Sequence, residues 1–220
     1  MAYQGRLYDI SSYKKGFPYF FFFLSGRSFT VNVEPFFSVL LAEIDPKVTE
    51  LARKYFRLEE NSRLAIYHQD ARTYLNTVQK KYDVIYGDAF GSRYSIPYQL
   101  TTQEAVQKMY DALNDDGIVI QNVISAIEGD SGQFLRAELA TYASIFPQNF
   151  VFPASHPTNG EITQNLVMIA MKSEKKPPMY SVDTELNAYL KNVWQKDIIA
   201  DVPILTDDFA PVDYLVSKAL

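Results

Sequence analysis

The chain contains no cysteine. Disulfides, thiolate zinc sites, iron–sulfur clusters and a cysteine nucleophile are therefore excluded. Histidine is almost as scarce: only His68 and His156 are present, which rules out a multi-histidine metal centre, and no metal is expected. Each histidine reads as a strand-end or loop residue rather than a catalytic one. No block of lysines or arginines exists and the net charge is −5, so the basic footprint of a nucleic-acid binder is missing. A cationic small substrate is compatible with that balance. No apolar run is long enough to cross a bilayer; the Phe-rich stretch 17–24 is far too short and has Pro18 near its start. No secretory signal precedes it. A cytoplasmic protein without membrane insertion is expected.

What is present suits one large core. The 220 residues are 47% hydrophobic and 15% aromatic, which fits a single globular domain over residues 1–220. β-Forming runs alternate with helical patterns. Strands are expected at Tyr19–Leu24, Val39–Ile44, Leu64–His68, Tyr82–Gly87 and Ile118–Ile124. A closing pair is expected at Phe150–Phe152 and Asn165–Lys172. Between them, helices are expected from Pro46 to about Phe56, where proline suits the first turn, and over Ala71–Gln79. Another runs over Gln103–Leu113, capped by Thr102 and stopped by Asn114–Gly117. Ser131–Ile145 and Val182–Trp194 complete the set. The aromatic residues at 19–23 and 36–37 read as core packing, and Trp194 as a packing anchor. This alternation predicts an α/β fold: a Rossmann-like, doubly wound, mostly parallel sheet with helices on both faces. Its site is expected at the strand carboxyl ends, near the first and fourth strands, where the winding reverses.

Three of those strands end in acids. Leu40-Leu41-Ala42-Glu43-Ile44-Asp45 ends the second strand directly ahead of Pro46. A carboxylate at this place accepts hydrogen bonds from both hydroxyls of a ribose. Glu43 suits that role, whereas Asp45 suits a helix cap. Asp70 follows the third strand and precedes Ala71-Arg72. It suits an adenine amino group, with the Ala71 N–H facing a ring nitrogen, and equally an N-cap; the two roles are compatible. Asp88 ends the fourth strand and is followed by a loop, 89–100, rather than a helix. An acid aimed into a loop-covered cleft can hold or deprotonate an amine nucleophile; the alternative is a turn aspartate bonded to its own backbone. Three strand-end carboxylates point to a nucleoside co-substrate such as S-adenosylmethionine or its decarboxylated form. The turn after the first strand, Ser25-Gly26-Arg27-Ser28, has a single glycine where such folds carry several, and Arg27 projects a large cation there.

Together these residues resemble the spermidine synthase family, within the class I S-adenosylmethionine-dependent methyltransferase fold. The resemblance is strongest over Ala42–Phe152 and in Leu205–Asp213. Glu43-Ile44-Asp45-Pro46-Lys47-Val48 is similar to the family's ribose-binding segment. Gln69-Asp70-Ala71 is similar to its adenine contact, Tyr82–Asp88 to the strand bearing its catalytic aspartate, and Tyr3-Gln4 to its tyrosine–glutamine pair. The resemblance implies Asp88 and Tyr3 as catalytic residues. It implies Gly26, Glu43, Asp70 and Ala71 for the nucleoside, and Gln4 and Tyr98 toward the substrate. The implied reaction moves an aminopropyl group from decarboxylated S-adenosylmethionine to a small diamine such as putrescine; a homodimer is also implied. The chain departs from the pattern in three places. The glycine-rich loop is reduced to Ser25-Gly26-Arg27, Gly91 stands where the family has a second aspartate, and the N-terminal β-hairpin region is absent. A methyltransferase using intact S-adenosylmethionine, or a non-catalytic nucleoside-binding relic, are the alternatives. Asp207 and Asp208 are expected to cap a terminal helix, with lining of the cleft as the other reading.

Overall fold

A computed structural model describes residues 18–24, 38–59, 62–89 and 96–219. Its seven strands form one sheet: β1 (Pro18–Leu24), β2 (Ser38–Ala42), β3 (Leu64–Tyr67), β4 (Tyr82–Ala89), β5 (Leu113–Ser125), β6 (Gln148–Pro153) and β7 (Gln164–Met171). The spatial order is β3-β2-β1-β4-β5-β7-β6. The first five strands pair in parallel, and β7 runs antiparallel to both β5 and β6. The mostly parallel, doubly wound sheet expected from the sequence is therefore present. The winding reverses between β1 and β4.

Helix boundaries follow local chemistry. α1 (Pro46–Tyr55) starts at proline, and the Asp45 carboxylate caps it by accepting from the Lys47 N–H at 2.9 Å. α2 (Ala71–Thr77) is capped by Asp70. α3 (Gln103–Ala112) is capped by Thr102, whose hydroxyl accepts from the Ala105 N–H. The chain then forms α4 (Gln133–Ala143), α5 (Thr184–Leu190) and α6 (Val212–Ser217). Chain direction assigns their faces. The β2–α1–β3 crossover steps outward toward one edge of the sheet, while the β3–α2–β4 and β4–α3–β5 crossovers step the other way. Right-handed crossovers therefore place α1 on one face and α2 and α3 together on the opposite face. α4 packs beside α3 there. The buried cluster between sheet and helices includes Ile85, Val119, Met109, Phe134, Leu135 and Tyr142.

Three expectations need correction. Asn114–Gly117 does not act as a loop that stops a helix: β5 begins at Leu113, directly behind α3. Buried Leu113 pairs with Tyr82, and the register shift between Tyr82 and Val84 absorbs the intervening polar residues. The late helix is shorter than Val182–Trp194, because Asp183 caps it by accepting from the Leu186 N–H and it ends at Leu190. Trp194 lies beyond it, 9% exposed in the core cluster, with its backbone N–H donating to the Val151 carbonyl at 2.8 Å. Finally, neither Asp207 nor Asp208 caps the terminal helix. Pro211 occupies the N-cap of α6, without a side-chain cap bond. The Asp207 carboxylate instead takes 2.7 Å and 2.6 Å hydrogen bonds from Arg72 of α2 and from the Thr102 hydroxyl. Arg72 also donates to the Gln99 carbonyl at 3.0 Å. A carboxylate gains more from a guanidinium and a hydroxyl together than from a helix end. The tail thereby ties α2 to the start of α3.

Candidate active site

The parallel arrangement brings the ends of β2, β3 and β4 to one rim of the sheet. Glu43 directly follows β2 and is 2% exposed. Its backbone N–H donates to the Tyr67 carbonyl of β3 at 3.0 Å, which fixes it against the neighbouring strand end. One carboxylate oxygen accepts from the Asp45 N–H at 2.9 Å. Burial raises the Glu43 pKa, opposed by the backbone N–H bonds and by the nearby His68. A carboxylate held this way keeps lone pairs for two further donors, so its chemistry fits a diol.

Asp70 sits at the end of the segment that follows β3. Its Oδ1 accepts from the Thr73 N–H at 2.8 Å and from the Thr73 hydroxyl at 3.1 Å, so the capping role is present. Ala71 opens α2 and is buried. N–H groups of a first turn have no intrahelical partner, so this one is suited to an external acceptor. Asp88 lies on β4 one residue past Gly87, and its Oδ1 accepts from the Asn122 side-chain amide of β5 at 3.0 Å. Its charge reaches Tyr86, whose phenol is pushed up to about 12, first by burial and then by Asp88.

On the sheet face that carries α3 and α4 lies a cavity of about 30 Å³, whose lining does not include Asp88. Ile96, Pro97, Leu100 and Thr101 contribute to it from the segment after β4, and Met109, Phe134 and Glu138 from the helices. Its sheet side is Gly87, Gln121, Asn122 and Val123. Gly87 is required by close approach: a Cβ there would fall 1.6 Å from the Gln121 Oε1. Gln121 crosses β4 at this point and donates to the Tyr142 hydroxyl at 2.8 Å.

Glu43, Asp70, Ala71 and Asp88 thus stand at or just past the carboxyl ends of β2, β3 and β4. Tyr98 is not among the cavity residues; it is 52% exposed in the short 3-10 turn Tyr98–Leu100. Tyr3, Gln4 and Gly26 lie outside the described residues, as do Arg27 and Gly91. Sequence reasoning missed Gln121, Asn122 and Glu138. For the first two a signal existed: in parallel pairing Gly87 is level with Gln121, which puts Asn122 beside Asp88. For Glu138 none did.

The sheet order and rim define a class I methyltransferase-type fold, and comparison with known proteins places the chain within it. Residues 31–176 match the model of the spermine/spermidine synthase domain. The chain belongs to that family. It is 25% identical over 190 residues to a polyamine aminopropyltransferase of Vibrio vulnificus, covering 80% of this chain and 60% of that protein. It is 29% identical over 205 residues to a probable polyamine aminopropyl transferase of Bifidobacterium longum, covering 84% of this chain but 45% of that one. The chain therefore spans about half the length of these relatives. An N-terminal histidine N-methyltransferase of Emericella nidulans is 34% identical over 144 residues, 62% of this chain and 25% of its own. Among solved structures, a probable spermidine synthase of Corynebacterium glutamicum superposes with a TM-score of 0.64 at 21% identity, covering 86% of this chain and 67% of that one. Human methyltransferase-like protein 13 superposes at 0.60 and 22% identity, covering 80% of each chain. At these identities the two structures speak for the fold alone. Among the described residues, no helix is long and apolar enough to cross a membrane.

Proposed function

We propose that the chain transfers an aminopropyl group from decarboxylated S-adenosylmethionine to a small diamine such as putrescine. The observation that carries this reading is Asp88, an acid at the carboxyl end of β4, held by the Asn122 side-chain amide and on the same rim as Glu43. Family membership and the aminopropyltransferase relatives support it.

The residues divide the work. Glu43 accepts from the ribose hydroxyls, while Asp70 and the Ala71 N–H face the adenine edge. Asp88 accepts a hydrogen bond from the acceptor amine, orients its lone pair and takes its proton. The amine nitrogen bonds to the propyl carbon as the carbon–sulfur bond breaks and its electron pair returns to sulfur. The products are the aminopropylated amine and methylthioadenosine. Positive charge leaves sulfur as the proton reaches Asp88, so no further co-reactant is needed. In-line placement of amine and carbon supplies much of the acceleration. By resemblance, Tyr3 assists Asp88 and Gln4 faces the substrate.

The test is mass-spectrometric detection of methylthioadenosine from putrescine and the decarboxylated co-substrate. Asp88→Asn should reduce turnover at least about a hundredfold and retain the thermal shift produced by the nucleoside. Absence of product at high concentrations of the unaltered chain refutes the reading. A second reading, methyl transfer from intact S-adenosylmethionine, is favoured by the 34% identity to the Emericella nidulans methyltransferase. Calorimetry with both nucleosides separates the two, since clear preference for the carboxylated form favours methyl transfer. If neither nucleoside raises the melting temperature at millimolar concentration, a non-catalytic role replaces both.

A further inference from the structure

Arg72 directly follows the two residues proposed to face adenine, Asp70 and Ala71. Its side chain is 15% exposed and reaches three separate segments. Nη1 donates to the Gln99 carbonyl at 3.0 Å and to the Thr102 hydroxyl at 3.1 Å, and Nη2 donates to the Asp207 carboxylate at 2.7 Å. Gln99 belongs to the segment 96–101 that follows β4 and Asp88, Thr102 caps α3, and Asp207 lies in the tail. One guanidinium fork thus fixes the first turn of α2 against the chain that comes after the proposed catalytic acid. The planar fork imposes a defined geometry when its donors are met together.

The tail presents Asp207 on a turn that is itself well tied. Thr206 and Phe209 exchange both backbone hydrogen bonds at 3.0 Å, the Asp207 N–H donates to Glu104 at 2.9 Å, and the Leu205 carbonyl accepts from the Gln103 N–H at 2.7 Å. The Asp207 side chain is nevertheless 45% exposed, where an ion pair adds little to stability. What it supplies is orientation: it sets where the Arg72 fork points. We propose that Asp207 is a positioning residue for the nucleoside, acting through Arg72 to fix the Asp70–Ala71 turn against the segment 96–101. The assignment rests on the nucleoside half of the proposed function, which aminopropyl transfer and methyl transfer share. It needs no contact between Asp207 and the reacting atoms.

The test is calorimetric titration of methylthioadenosine, which carries the ribose and adenine without a charged sulfur, into the full chain and its variants. Asp207→Asn keeps the side-chain shape and leaves the guanidinium without its anion, so binding should weaken roughly fivefold or more. Arg72→Lys keeps the charge but cannot reach Gln99, Thr102 and Asp207 together, and should lose about as much. Because both act through one fork, the double variant should lose little beyond either single one. Asp201→Asn is the control. It breaks the tail's other arginine pair, to Arg136 of α4 rather than to α2, and should leave binding within about twofold. Binding unchanged by Asp207→Asn and Arg72→Lys, an equal loss with Asp201→Asn, or losses that multiply in the double variant each overturn the positioning role and keep the nucleoside site. No binding to the unaltered chain rejects the site and the positioning role together. None of these readings depends on turnover, so failure of the transfer reaction is read separately, from methylthioadenosine formation.

Discussion

Glu138, buried on α4 in the cavity lining, makes a quantitative prediction about folding. Burial alone pushes its carboxyl up to about 8, from an ordinary value of 4.5. The native chain therefore holds this proton across a range where the unfolded chain has released it. Below about pH 4.5 both states are protonated and the group costs nothing. As pH rises, the unfolded state gains by ionising while the native state does not, so stability falls until about pH 8 and then levels. At about 1.4 kcal/mol per tenfold step in proton affinity, the loss is about 3 kcal/mol by pH 7, about 4 kcal/mol by pH 8 and about 5 kcal/mol at the plateau above it. That is a large share of a domain's typical 5–15 kcal/mol or so. Glu138→Gln retains the shape and cannot ionise. Urea denaturation of both proteins between pH 5 and pH 8.5, without amines, isolates the effect, because other titrations cancel in the difference. The variant should match the parent near pH 5 and exceed it increasingly toward pH 8. A difference that stays constant with pH would refute the reasoning, since it would mean that Glu138 ionises alike in both states.

Three further outcomes are expected. Glu43→Gln keeps the fold and weakens nucleoside binding by roughly tenfold or more, read by calorimetry, because a neutral amide is a poorer acceptor for two hydroxyls. Gly87→Ala forces the Gln121 side chain aside and loses its bond to Tyr142, costing about 1–3 kcal/mol in chemical denaturation. Adding Gln121→Ala should recover part of that loss, whereas strict additivity would point to another cause. Thr102→Val removes a hydroxyl that accepts from Arg72 at 3.1 Å and donates to Asp207 at 2.6 Å, leaving both partners short of one bond. A loss of about 1–3 kcal/mol is expected, with earlier proteolysis near residues 205–211; unchanged proteolysis would show that the tail is held elsewhere.

The sequence reveals the strand-end acids more readily than the residues that line the cavity. Glu43, Asp45 and Asp70 declare themselves because each stands between a strand and a helix start, where a few adjacent residues decide the geometry. Thr102 is legible for the same reason. Glu138 is not. On α4 the consecutive residues Phe134, Leu135, Arg136, Ala137 and Glu138 are all buried, so no polar face marks which way either charged residue points. Arg136 satisfies itself on the Ile127 and Gly129 carbonyls and on Asp201, whose carboxyl it holds below its usual range. Glu138 has no such partner for Oε1. Asp207 is hidden by distance along the chain: its partner Arg72 is 135 residues away. Capping is a local signal and drew the wrong inference there.

This difference has a consequence for specificity. Residues proposed to hold the nucleoside belong to short segments whose backbone is set by strand ends and caps, so exchanges that alter the backbone there disturb folding and binding together. The cavity between the sheet and helices α3 and α4 is assembled from β4, β5, α3, α4 and the segment 96–101, with each element contributing one to a few residues. A single exchange there reshapes the cavity without altering the rim. On the proposed transfer reading, acceptor choice is the property that such exchanges would change at small structural cost. The length of the acceptor should then track the residues at 96, 100 and 109 rather than those at 43, 70 and 71. A set of amines differing by single methylenes, measured against substitutions at Leu100 and Met109, exposes that dependence directly: shortening either side chain should shift the preferred amine toward longer chains. An unchanged preference would mean that the acceptor lies elsewhere on the rim.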